Sequence, residues 1–103
     1  MFLILAALLA STEKPTLVER MLARPPDAVF ESAKTSEDVH TCLTSIQTSL
    51  DHATVPMKDR VRIVFESGVG IVDLYQDGTG TRADVWGFSL ARPRVRNWVR
   101  RCV

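Results

Sequence analysis

Residues 60–88 constrain the fold of this chain more than any other stretch. Arg60-Val-Arg-Ile-Val-Phe-Glu66 alternates, with Val61, Ile63 and Phe65 on one side. Val69-Gly-Ile-Val-Asp-Leu-Tyr75 is apolar and β-branched, and Thr81-Arg-Ala-Asp-Val-Trp-Gly-Phe88 alternates again, with Ala83 and Val85 opposite Arg82, Asp84 and Trp86. Ser67-Gly68 and Asp77-Gly78-Thr79-Gly80 separate the runs. Glycine takes the positive φ that tight hairpin turns need, so the spacing predicts a three-stranded antiparallel meander.

A sheet of alternating strands has one face to cover, and the flanks supply two helices. Ser36 is placed to cap a helix over 36–50, with Glu37 and Asp38 favouring its positive end. Val39, Cys42, Leu43, Ile46 and Leu50 form its apolar stripe. Its Thr and Ser residues are mediocre helix formers, so it depends on packing. The second helix begins near Pro93, with Val95, Trp98, Val99 and Cys102 on one side. The expected class is α+β: a three-stranded meander packed on one face by two helices, in the order α-β-β-β-α.

The N-terminal third divides in two. Residues 1–10, Met-Phe-Leu-Ile-Leu-Ala-Ala-Leu-Leu-Ala, are apolar and uncharged, and a polar segment follows from Ser11. Such a run is too short to span a bilayer, which takes about twenty residues. It fits a secretory signal, with cleavage after Ala10, although the segment has no basic residue. Residues 11–35 read as an arm with a short helix over Leu17, Val18, Met21 and Leu22, ended by Pro25-Pro26. Asp27-Ala-Val-Phe30 reads as a helical turn or an extended stretch anchored by Phe30. Residues 36–103 form the compact domain.

Export and the cysteines are linked. Cys42 and Cys102 are the two cysteines, and both fall on apolar helix faces. If both helices lie on one sheet face, the thiols can meet beneath them, so a Cys42–Cys102 disulfide and a secreted or periplasmic location are expected together.

The chemical signals are weaker. His40, Cys42 and His52 lack the spacing of a metal site, so no metal and no cofactor is expected. Cys42, on a core-facing stripe, is poorly placed as a nucleophile. An enzyme built on His52 or His40 with nearby Asp51 or Asp59 is the alternative reading, ranked below binding. Asp77–Thr81 fails the calcium-loop pattern and reads as a hairpin.

Two surfaces are candidates for binding. The uncovered sheet face is assigned Arg62, Val64, Val72, Leu74, Arg82 and Trp86, unless residues 11–35 cover it. The second is the basic C-terminal end. Asp84 is the last acidic residue, while Arg92, Arg96 and Arg100 share one helical stripe and Arg94 and Arg101 another. A formal net charge of +1 gives the whole molecule no bulk preference for nucleic acid, and export argues against that partner. The expectation is a non-enzymatic binding or structural module of the cell envelope, its partner an envelope protein or an anionic surface. An open sheet edge leaves pairing with a second copy open.

Overall fold

The structure is a computed structural model that describes residues 16–46, 51–65 and 70–103. The signal assignment to residues 1–10, the Ser67-Gly68 turn, Leu50 and the side chain of Ile46 lie outside the described residues. Helix α1 spans Leu17–Leu22 and strand β1 spans Ala28–Ser32. Helix α2 spans Ser36–Ile46, and β2 spans His52–Pro56. Strands β3 (Val61–Phe65), β4 (Gly70–Asp77) and β5 (Gly80–Gly87) follow, then a 3-10 turn at Ser89–Ala91 and helix α3, Arg92–Cys102.

The class is α+β, but the sheet is wider than the meander alone. Among the described residues it has five antiparallel strands in the order β1-β5-β4-β3-β2. The expected meander β3-β4-β5 forms its centre. β2 arises within the stretch 51–59, which the sequence reads as a connecting loop, and pairs Thr54 with Ile63. β1 arises within the N-terminal arm and pairs Phe30 with Ala83. Both additions are edge strands. β2 is exposed along its whole length and so carries no burial pattern that reveals a strand, while β1 alternates between half-buried and exposed over only five residues, too short a run to separate a strand from a turn. The extended option for 27–30 is the one realised.

Strand alternation sorts the side chains. Ile63, Phe65, Val72, Leu74, Ala83 and Val85 face the helical layer and join Val39, Leu43, Val95, Trp98 and Val99 in the main core. Trp98 packs edge-on against Phe65, with ring centroids 5.6 Å apart. Each such side chain contributes roughly 1.5–3 kcal/mol on full burial. Helix α2 is capped by Thr35 rather than Ser36, since the Thr35 hydroxyl accepts from the Asp38 N–H at 3.2 Å. Ser36 instead donates its N–H to Gln76 Oε1 at 3.0 Å, which ties the helix start to β4. In the β4–β5 hairpin Gly78 has φ +64°, the positive value expected at the first central position of a type II′ turn.

Helices α2 and α3 both lie on this face and contact each other. Cys42 and Cys102 are joined in a disulfide, with Cα atoms 5.6 Å apart. Lys34 Nζ donates to the Cys102 carbonyl at 3.3 Å and places a cation at the negative end of α3.

Candidate functional site

The opposite sheet face is not the open surface that alternation alone suggests. The short helix α1 covers one end of it, where Met21 and Trp86 are buried together with Ile71, and Leu17, Val18, Leu22 and Val64 pack around them. The Trp86 indole Nε1 donates to the Arg24 carbonyl at 3.0 Å. The six residues assigned to a binding face therefore separate. Val72 and Leu74 belong to the helical core, because their parity along β4 is opposite to that of Ile71 and Asp73. Trp86 and Val64 lie under α1. Arg62 and Arg82 remain on the uncovered part.

That part is an internally matched polar network. Asp73 is fully buried, and its carboxylate accepts from Arg62 Nε and Nη2, both at 2.8 Å, and from Arg60 Nη1 at 3.2 Å. Arg60 also bonds Asp59 Oδ1 at 3.1 Å, which holds the exposed Asp59 carboxyl below its ordinary range. Bonding to Asp59, and next to Asp73, shifts the Arg60 guanidinium upward, and bonding to Asp73 shifts Arg62 the same way. Tyr75 lies between two guanidinium groups, Arg82 at 4.2 Å from its ring centroid and Arg60 at 4.9 Å. Arg82 Nε is 3.2 Å from Asp84 Oδ1, yet the alignment is wrong for a hydrogen bond, and this buried oxygen has no such partner. Much of this face's positive charge is thus met by its own carboxylates.

The most exposed large apolar side chain among the described residues, Leu90, lies at the junction of α1 with the segment between β5 and α3, whereas Val29, Val55 and Met57 are only partly exposed elsewhere. The frame of this junction is a clasp around Asp27. Asp27 Oδ1 accepts from Arg24 Nη1 at 2.6 Å, and Oδ2 accepts from the Gly87 N–H at 2.7 Å. Arg24 Nη2 and Arg92 Nε both donate to the Gly87 carbonyl, at 2.7 and 3.3 Å. Pro25-Pro26 between Arg24 and Asp27 is rigid, so the clasp fixes α1 against the end of β5. Beyond it the chain turns sharply through Ser89, a non-glycine residue at φ 45°. Phe88 is 48% exposed on one side of this turn and Leu90 is 95% exposed on the other. Two shallow open hollows of about 570 and 320 Å3 adjoin them, bordered by Leu17, Arg20, Arg24, Arg92 and Arg94.

The expected anion stripe divides along α3. Arg92, Arg96 and Arg100 are all exposed, but Arg92 lies at this apolar rim while Arg100 sits 5.9 Å from the Phe30 ring on β1. The sequence reading missed Phe88, Leu90 and Arg20 as a unit. Their signal was two large apolar residues around a turn directly after a strand, where polar residues are usual.

The histidines stand apart. His40 Nε2 lies 2.8 Å from Thr54 Oγ1, a contact between α2 and β2. His52 is exposed on the outer strand, and Asp59 is engaged with Arg60. Among the described residues no cluster of His, Cys, Asp and Glu has the geometry of a metal site, and no helix is long and apolar enough to cross a membrane. Comparison with protein-family models, curated proteins and solved structures gives no match to this chain.

Proposed function

We propose that this protein is an exported, non-catalytic binding module of the cell envelope that works through the rim at Phe88 and Leu90. One observation carries the reading: two large apolar side chains are held out in solvent beside Arg20, Arg92 and Arg94. Leaving Leu90 and Phe88 in water forgoes their burial energy, and the Ser89 conformation adds about 1 kcal/mol or more of backbone strain. A surface of this kind is resolved by a partner that covers it. The disulfide supports the compartment, because such bonds persist in oxidising environments, and the apolar run at 2–10 supports a secretory signal. Catalysis ranks lower, since His40 is bonded to a threonine hydroxyl and not to a carboxylate.

The compartment is tested by expressing the full chain in a bacterium with an export pathway and weighing the protein from periplasm and medium. The expected species begins at Ser11 and lacks two hydrogens relative to the dithiol form. A full-length cytosolic protein with free thiols would refute the export reading.

A further inference from the structure

We propose that the partner of the Phe88–Leu90 rim is the headgroup surface of a bilayer containing anionic phospholipid; this rests on the binding role just assigned to that rim. Shape favours a bilayer over a protein groove or a small ligand. Leu90, at 95% exposure, is a projecting tip, and the adjoining hollows are shallow and open. A projecting apolar tip enters the boundary between headgroups and acyl chains, to a depth of roughly 5–10 Å for interfacial elements.

Charge selects the lipid. Asp27 engages Arg24 and lies 3.9 Å from Arg92, which leaves Arg20 and Arg94 as the strongest net positive charges of the rim. Among the described residues neither of those two forms an ion pair, and both are exposed. From Val85 to Val103 there is no carboxylate side chain to offset the arginines. Exposed guanidinium groups beside an apolar tip match phosphate headgroups, which accept their hydrogen bonds while the tip enters the apolar layer.

The test is flotation of the purified protein with phosphatidylcholine vesicles, with and without phosphatidylglycerol. Wild type is expected on the anionic vesicles, with affinity falling as salt is raised. Leu90→Ser should weaken that binding by on the order of tenfold, and Arg20→Gln and Arg94→Gln by about fivefold each. All three positions are exposed, so matching melting curves should show that the variants fold. Equal binding to both vesicle types, no binding, or binding that Leu90→Ser leaves unchanged would overturn the lipid assignment. A competing acidic partner protein would appear as wild type that ignores both vesicle types, which also overturns it. An exported protein inert to vesicles fails here alone; a cytosolic protein that still binds them fails on export alone.

Discussion

At the scale of single residues, Asp73 is the most consequential side chain outside the core. Its row across the sheet runs Arg62, Asp73, Asp84, so two carboxylates face each other on neighbouring strands. Opposed like charges destabilise a sheet, and here the guanidinium groups of Arg62 and Arg60 on Asp73, and of Arg82 beside Asp84, offset them. Removing a buried partner of this kind costs about 3–5 kcal/mol, because the remaining charge is left without compensation. Arg60 and Arg62 keep partial access to water, which places the loss at the lower end. Asp73→Ala should therefore lower unfolding free energy by about 3 kcal/mol, read as a lower urea midpoint at unchanged slope. A change under about 0.5 kcal/mol would mean that the network carries no net weight. Sequence showed each of these residues on a strand, but their mutual register came only with the strand pairing.

At the scale of elements, the junction between β5 and α3 determines where the rim stands. Gly87 ends the strand, and a Cβ there would lie 2.5 Å from Arg92 Cα and 3.1 Å from Arg92 N. Backbone cannot yield as a flexible side-chain tip can, so Gly87→Ala forces α3 away from the sheet. Overpacking of this kind costs about 1–3 kcal/mol. The expected result is a loss of about 2 kcal/mol in denaturant unfolding, together with faster exchange of the Arg92 and Val95 amides. Unchanged exchange in α3 would show that the close approach does not hold the helix. The long periodic elements were legible: α3, the Val39, Cys42 and Leu43 part of the α2 stripe, and the meander. The edge strands were not, since β2 buries no side chain and its place comes from hydrogen bonds to β3.

At the scale of the whole molecule, the disulfide joins the two helices that close the core. It links positions 60 residues apart, for which the chain-entropy model gives about 4 kcal/mol. A domain of this size has only about 5–15 kcal/mol in total. Reduction should lower the melting temperature by roughly 20 °C, measured by calorimetry with and without reductant. A shift of only a few degrees would mean that packing of α2 on α3 suffices without the bond. The same link connects stability to compartment, because a reducing environment removes it.

The sequence by itself determined the local conformations whose cause is local. Period-two and helical spacing marked the meander and the two helices, glycine marked the hairpin, and two cysteines on apolar faces marked the pairing. Tertiary structure alone decided what lies on each sheet face. A short amphipathic helix has too few residues to declare its docking place, yet α1 covers Trp86 and removes it from the surface. Parity along a strand separates side chains into two sets, but only packing says which set is covered, and so Val72 and Leu74 lie in the core while Arg62 and Arg82 do not. The rim itself is a product of assembly. Leu17 and Arg20 come from one end of the chain and Phe88, Leu90 and Arg94 from the other, and the clasp at Asp27 brings them to one surface.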